Sequence, residues 1–168
     1  MRTDMLQELE RIVRLAGGMV REAHDIEQVT TEKNGAADLV TKYDVAVQGF
    51  LKRELLELLP EADFFGEEGE HAALTRPWTF IVDPIDGTTN FVRRLHYSNI
   101  SVALAHDGQV EYAVVYDPFA DQLFSAQKDC GAFCSGLPIH VSDKDMAHAV
   151  FLCGSTIYDR SLTEQNFS

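Results

Sequence analysis

The hydrophobic period of this 168-residue chain changes at Pro60, and the change limits the folds that the chain can adopt. Apolar residues recur at helical spacing over residues 4–24 and again over residues 47–59, which predicts two helices. Thr41 or Asp44 is expected to cap the second helix, and Pro60 to end it. Beyond Pro60 the apolar residues form short runs and alternations between turn signals, a pattern typical of strands.

Five or six strands are expected in the second part of the chain. The stronger candidates cover residues 63–66, 78–82, 98–105, 110–116 and 122–126, and shorter extended pieces are expected at 132–133, 139–141 and 149–153. Asp107-Gly108 is a hairpin turn signal, and short turns favour antiparallel neighbours. We therefore predict an α+β fold, in which two N-terminal helices pack on a mainly antiparallel sheet of about six strands.

The amino-acid composition limits the classes of binding partner and the cellular compartment that are expected for this protein. The 14 basic and 27 acidic residues give a net charge of −13, which argues against a nucleic acid or an anionic membrane as the main partner. No apolar run approaches the ~18 residues of a membrane span, and the N-terminal stretch lacks the apolar segment of a signal peptide. The three cysteines are expected to be reduced thiols, and a cytoplasmic location is expected.

Two acidic loops each follow a predicted strand. Gly66-Glu67-Glu68-Gly69-Glu70 follows the first strand, and Asp83-Pro84-Ile85-Asp86-Gly87 follows the second. Pro84 and Gly87 restrict and shape the second loop, so the two aspartates and the Ile85 carbonyl are expected to point in fixed directions. If the two strands are neighbours, both loops lie at one edge of the sheet, where their oxygen atoms suit Mg²⁺.

Each loop taken alone also fits an ordinary solvated turn, so this reading stays open at this point. The residues after the second loop favour a site. If a helical turn begins near Thr88, its free N–H groups attract an anion such as phosphate. Carboxylates that hold a metal beside N–H groups that hold phosphate predict metal-assisted phosphoryl transfer.

Several segments resemble the inositol monophosphatase family of Mg²⁺-dependent, lithium-sensitive phosphatases. The most specific are GEE at residues 66–68 and WTFIVDPIDGTTNF at residues 78–91. The DLVT segment at 38–41 with Asp44, the GAFC segment at 131–134 with Gly136, and Gly154-Ser155 also match, although Ser135 stands where the family usually has Asn. The similarity runs from about residue 4 to residue 155.

The resemblance implies a metal site and the residues that form it. Glu67, Asp83 and the Ile85 backbone carbonyl would hold a first Mg²⁺. Asp83 would bridge to a second Mg²⁺, and Asp86 would hold that second ion beside the leaving oxygen of the substrate.

The resemblance also implies how water and phosphate are positioned. Glu67 and Thr88 would orient the attacking water, and Asp44 would lie close to Thr88. The backbone N–H groups of Gly87 and Thr88 would bind the phosphate, and Lys33 is a possible contact from a loop.

The family's W-D motif, whose aspartate ligates the second metal, is absent from these 168 residues. The resemblance is therefore to the N-terminal half of the αβαβα sugar-phosphatase fold, with a domain over residues 1–155 and a polar tail over residues 156–168. The expected function is hydrolysis of a phosphate monoester, such as inositol monophosphate or a related sugar or nucleoside phosphate, by a homodimer. The alternative is a metal-binding half-enzyme that needs a partner chain, with weaker affinity for the second metal.

Overall fold

Helices precede the main sheet, as the period of the sequence predicts. The computed structural model describes residues 2–32, 39–69 and 73–150. The helices are α1 (Arg2–Arg21), α2 (Lys42–Leu58) and α3 (Thr88–Val92), and a 3₁₀ turn covers Ile26–Val29. The strands are β1 (Thr30–Glu32), β2 (Leu39–Thr41), β3 (Asp63–Gly66), β4 (Trp78–Asp86), β5 (Asn99–His106), β6 (Gln109–Asp117), β7 (Gln122–Gln127), β8 (Gly131–Cys134) and β9 (Leu137–Ile139).

Seven of these strands form one mixed sheet in the order β3-β4-β5-β6-β7-β8-β9, and β1 pairs with β2 in a separate ribbon. β3 runs parallel to β4, and every other neighbouring pair in the sheet is antiparallel. The predicted α+β fold is confirmed, with one more strand than expected. Residues 149–150 are not in a strand, and the remainder of the strand predicted over 149–153 lies outside the described residues.

The start of α2 shows how a local sequence signal becomes part of the core. Thr41 is the N-cap, and its hydroxyl accepts hydrogen bonds from the backbone N–H groups of Tyr43 and Asp44. The Asp44 carboxylate accepts the Thr41 backbone N–H at 2.7 Å and also the Thr41 hydroxyl. This reciprocal capping box satisfies helix-end donors that would otherwise lack partners, and it fixes Asp44 although that carboxylate is fully buried.

Both long helices cover one face of the sheet. Their buried apolar residues meet alternate residues of the central strands, because successive side chains of a strand point to opposite faces. The core contributed by these elements is Leu9, Ile12, Val13, Ala16 and Val20 of α1, Val47, Leu51 and Leu55 of α2, and Phe80, Val82, Ile100, Val102, Leu104, Val114, Tyr116 and Leu123 of the sheet.

The opposite face of the sheet is largely open. Ile81 is 43% exposed and Phe124 is 39% exposed, and both belong to the residue set that alternates with the helix-facing core. Asp83 pairs across the sheet with Ser101, which pairs with Val115, which pairs with Phe124, so this row of side chains lies on the open face. The site described below is therefore at the end of an uncovered apolar surface.

None of the helices in the described ranges is long and apolar enough to span a membrane.

Two adjacent glycines of α1 provide a test of the packing between the helix and the sheet. A Cβ added at Gly17 would lie 2.3 Å from a ring carbon of Tyr116, whereas a Cβ at Gly18 would meet no atom within 4 Å. Tyr116 is buried, and its hydroxyl donates to Asp121 and accepts from Arg21, so the ring cannot move without breaking those bonds.

We predict that Gly17→Ala lowers the free energy of unfolding by roughly 1–3 kcal/mol because of this overlap. Gly18→Ala should instead raise it by up to about 1 kcal/mol, since alanine is the better helix former. Urea denaturation of the two variants measures both effects. Equal stability of the two variants would contradict the predicted packing.

Candidate metal and phosphate site

The parallel pairing of β3 with β4 brings the two acidic loops together. In the register of the two strands Gly66 lies opposite Val82, and the backbone N–H of Glu67 donates to the Val82 carbonyl at 3.1 Å. Parallel neighbours end at the same edge of a sheet, so Glu67 and Asp83 leave their strands side by side. The expectation that both acidic loops lie at one edge is met.

A bulge in β4 separates the directions of the two aspartates. Asp83 pairs with Ser101 and Asp86 pairs with Asn99, so three steps along β4 match two steps along β5. The extra residue lies in the Pro84-Ile85 segment, and both of these side chains are buried. Bulges of this kind change the direction of a side chain next to a functional site.

Asp83 is half-buried in an environment that disfavours its charge. Burial, followed by the negative charges of Glu67 and Asp86, raises the pKa of Asp83 to about 7. A hydrogen bond between the Asp83 and Glu67 side chains raises it further, whereas the backbone N–H of Ile85 acts in the opposite direction. A hydrogen bond between two carboxyl groups requires a proton on one of them, so without a cation the pair shares a proton below about pH 7.

The free oxygen of Asp83 suits a cation. Its Oδ1 atom is buried and has no hydrogen-bond partner among the described residues. Burying an unpaired carboxylate oxygen is costly, and a bound cation would remove the cost. Glu67, Asp83 and the Ile85 carbonyl supply oxygen ligands only, the kind that Mg²⁺ prefers, so the residues fit the ion.

The number of acidic side chains per ion is nevertheless small. Across residues 2–32, 39–69 and 73–150, no three His, Cys, Asp or Glu side chains are arranged so that they could hold one metal ion. The set expected for the first ion contains two carboxylates and a backbone carbonyl. The set expected for the second contains only the carboxylates of Asp83 and Asp86.

Asp86 is exposed, and a neighbouring strand orients it. Asn99 in β5 donates a hydrogen bond from its side-chain amide to Asp86 Oδ2 at 3.2 Å. The other carboxylate oxygen of Asp86 is not used by this bond. Asn99 was not singled out in the sequence, because only the cross-strand register places it opposite Asp86.

The helical turn expected near Thr88 is present as α3. Gly87 precedes it with φ of 82°, a left-handed conformation that glycine adopts without strain. A Cβ at this position would also lie 3.2 Å from the Tyr97 carbonyl oxygen. The turn therefore requires glycine for its backbone conformation, and the close approach of residue 97 adds to this requirement.

Thr88 lies between the acidic loop and α2. Its hydroxyl is 3.3 Å from Asp44 Oδ1 and 3.1 Å from the Ile85 carbonyl oxygen, and its single proton serves one of these acceptors at a time. Burial raises the pKa of Asp44, and the hydrogen bonds from Thr41 and Thr88 act against that rise. The structure thus places Asp44 next to Thr88, as expected. Lys33 and Glu70 lie outside the described residues.

Gln48 is a further residue of the site that sequence reasoning missed. It lies in α2 between the core positions Val47 and Leu51, and its carboxamide hydrogen-bonds to the backbone of Glu68. Nothing in the helical period separates this glutamine from an ordinary polar residue at the margin of a helix. Only the packing of α2 beside the β3 loop reveals the contact.

A sequence profile described as "Inositol monophosphatase family" matches residues 1–167. The chain belongs to the inositol monophosphatase family. Rat inositol monophosphatase 1 is 38% identical over 138 residues, which is 80% of this chain and 50% of the rat protein. The chain thus spans about half the length of the curated family members that it matches.

Solved structures share the fold of the chain. The extragenic suppressor protein suhB of Bartonella henselae superposes with a TM-score of 0.78 at 29% identity, over 84% of this chain and 55% of that one. A structure titled IMPase/NADP phosphatase complexed with Mg²⁺ and phosphate gives a TM-score of 0.68 at 28% identity, over 82% of this chain and 51% of that one. The prediction of an N-terminal half of this fold is confirmed.

The charge on Asp83 provides a pH test in the metal-free chain. The carboxyl has a pKa of about 7 when folded and about 4 when unfolded, so between these values the folded chain holds a proton that the unfolded chain has released. Stability should therefore fall as the pH rises from about 4 to 7.

Asp83→Asn removes that charge without changing the size of the side chain. We expect the metal-free variant to be more stable than the wild type by on the order of 1–2 kcal/mol at pH 8, and to differ little at pH 4. We also expect it to lose any rise in melting temperature on addition of Mg²⁺. Thermal melts with and without chelator measure both effects. A matching gain in the control Glu57→Gln, an exposed position on α2, would count against the interpretation.

Proposed function

We propose that this chain carries the water-activating and metal-binding part of a Mg²⁺-dependent phosphomonoesterase. The observation that carries the proposal is the buried Oδ1 of Asp83, which has no partner among the described residues, in a side chain that hydrogen-bonds to Glu67. Membership of the inositol monophosphatase family supports it, and so does the relative whose structure is titled with Mg²⁺ and phosphate.

Each ligand has a defined role in the proposal. Glu67, Asp83 and the Ile85 carbonyl would hold one Mg²⁺, and Asp83 and Asp86 would hold a second. Bound Mg²⁺ would lower the pKa of a coordinated water and stabilise negative charge on phosphate oxygens. The carboxylates would exchange the proton that Asp83 and Glu67 share for the cation, so metal binding should release a proton.

Thr88 would position the attacking water together with Glu67. Asp44 is fixed by the capping box and can accept a hydrogen bond from the Thr88 hydroxyl, in which case the hydroxyl oxygen would be left to accept a hydrogen bond from the water. The N–H groups of Gly87 and Thr88 would bind phosphate oxygens. Their position just after the acidic loop supports this role, and the role of Lys33 stays a prediction from the sequence.

The proposed substrate is inositol monophosphate or a related sugar or nucleoside phosphate. The names of the relatives support this class, since they include inositol monophosphatase 1 of several mammals and an IMPase/NADP phosphatase. A homodimer is proposed as the assembly. The cytoplasmic location and the boundary at residue 155 stay predictions from the sequence.

A second candidate is a metal-binding half-enzyme that needs another chain. The open apolar face of the sheet favours it, because Ile81, Phe124 and Ile139 are each more than a third exposed there. An uncovered patch of this kind marks a surface that binds another protein segment. Sedimentation of the isolated chain, measured alongside its activity, separates the two candidates.

The proposed activity is tested by phosphate release from inositol 1-phosphate. We expect release that depends on Mg²⁺, stops with chelator, and falls at least about 10²-fold in Asp83→Asn, because the variant removes a charge that stabilises the transition state. Glu57→Gln should keep wild-type activity. Release that is insensitive to both chelator and Asp83→Asn would contradict the first candidate, whereas Mg²⁺ binding without phosphate release would favour the half-enzyme.

A further inference from the structure

The backbone of Glu68 is held at two points by one side chain of α2. The Gln48 amide nitrogen donates to the Glu68 carbonyl at 2.7 Å, and the Glu68 N–H donates to the Gln48 amide oxygen at 2.8 Å. A carboxamide that makes both bonds is fixed in position and in orientation. It therefore acts on the loop backbone as a neighbouring strand would.

Gly66 allows this contact to form. A Cβ at Gly66 would lie 2.4 Å from the Gln48 amide oxygen and 2.5 Å from its Cδ, closer than such atoms approach in proteins. Gly66 has no positive φ, so its backbone conformation does not require glycine. The glycine before Glu67 is therefore explained by the space that the carboxamide of Gln48 occupies, together with the Phe64 ring, which would lie 2.8 Å from the added Cβ.

Glu67 lies between two fixed points. Its own N–H donates to the Val82 carbonyl at 3.1 Å, and the next residue is bound by Gln48. Beyond Glu68 the chain reaches Gly69 with φ of 90°, where the backbone turns away. The direction in which the Glu67 side chain leaves the sheet is set by these bonds, because they hold the peptide groups on either side of it.

One helix thereby supports both halves of the site. Asp44 and Gln48 are four residues apart in α2, so they lie one above the other on the same side of the helix. Asp44 contacts Thr88 and Gln48 contacts Glu68. The fully buried Val47 and Leu51 anchor this stretch of α2 in the core.

We propose that Gln48 is a positioning residue that holds Glu67 in the direction required for it to share a cation with Asp83. We call the two hydrogen bonds between Gln48 and the Glu68 backbone the Gln48 clamp. The inference rests on the proposed function for the presence of a cation, whereas the Gln48 clamp is present without one. Residues that orient a metal ligand through hydrogen bonds typically change metal affinity 10–100-fold when they are replaced. Gln48 would act in this way through the backbone of the ligand loop.

The experiment compares Gln48→Ala and Gln48→Met with Lys52→Ala. Methionine keeps the length of the side chain without the two hydrogen bonds. Lys52 lies one turn further along α2, is exposed and contacts Phe64 of β3, so its replacement controls for altered packing between α2 and β3. We expect Mg²⁺ affinity, measured by titration calorimetry, to fall roughly 10-fold or more in both Gln48 variants and less than twofold in Lys52→Ala.

A double-mutant cycle separates positioning from general stabilisation. If Gln48 acts through Glu67, then Gln48→Ala should not lower Mg²⁺ affinity further in a Glu67→Ala background. An equal fall in both backgrounds would overturn the proposal, and so would unchanged affinity in Gln48→Met. In activity assays the half-saturating Mg²⁺ concentration should rise while the rate at saturating Mg²⁺ stays within about threefold, which a merely structural defect would not produce.

Amide hydrogen exchange tests, without any metal, whether Gln48 holds the Glu68 backbone. In the metal-free chain the Glu68 N–H should exchange at least about tenfold faster in Gln48→Met than in wild type, because its acceptor is lost. Unchanged exchange would overturn the proposal. If wild-type protein takes up no Mg²⁺, the proposed function fails, and faster exchange in the variant would still support the clamp. Gly66→Ala, which forces the carboxamide away, should reproduce the faster exchange.

Discussion

The parallel pairing of β3 with β4 is the constraint on which the site depends. It is the one parallel pair in the described sheet, and it makes two strands end at the same edge with acidic residues at both ends. The consequence is electrostatic, because Asp83 becomes half-buried beside the charges of Glu67 and Asp86 and its pKa rises to about 7. A shared proton or a bound cation relieves that repulsion. If a cation is bound, the oxygen-only set of ligands favours Mg²⁺.

α2 provides the rigid support that this arrangement needs. A metal ligand on a loop is imprecise unless hydrogen bonds fix the loop, and here both loops are bound from the same side of one helix, α2, whose inner face is anchored in the core. Asp44 is fully buried, yet it has three donors from Thr41 and Thr88, so its burial is compensated. The regular geometry of a helix places Asp44 and Gln48 about one turn apart, so one stretch of α2 contacts both Thr88 and Glu68.

The two faces of the sheet have different roles. The face toward α1 and α2 is filled with apolar side chains and provides the stability of the described chain, whereas the row from Asp83 through Ser101 and Val115 to Phe124 faces away from the helices. The acidic site therefore begins where an apolar surface ends. The chain spans about half the length of its curated relatives, so both the site and this surface are described for that portion of the fold.

The sequence by itself determined the two long helices, a cap at Thr41 or Asp44, the approximate strand boundaries and the family, because these depend on local spacing and on one specific motif around Asp83. The structure decided that Thr41 is the N-cap and that Asp44 is its capping-box partner. It did not determine the separate β1–β2 ribbon, the seventh strand of the sheet or the parallel orientation of β3, since short apolar runs do not encode which strands become neighbours. Tertiary structure alone placed Glu67 beside Asp83, Asn99 opposite Asp86 and Gln48 against Glu68. Each of these contacts joins residues that are at least 13 positions apart in the chain, and such contacts are set by register and packing rather than by local preference.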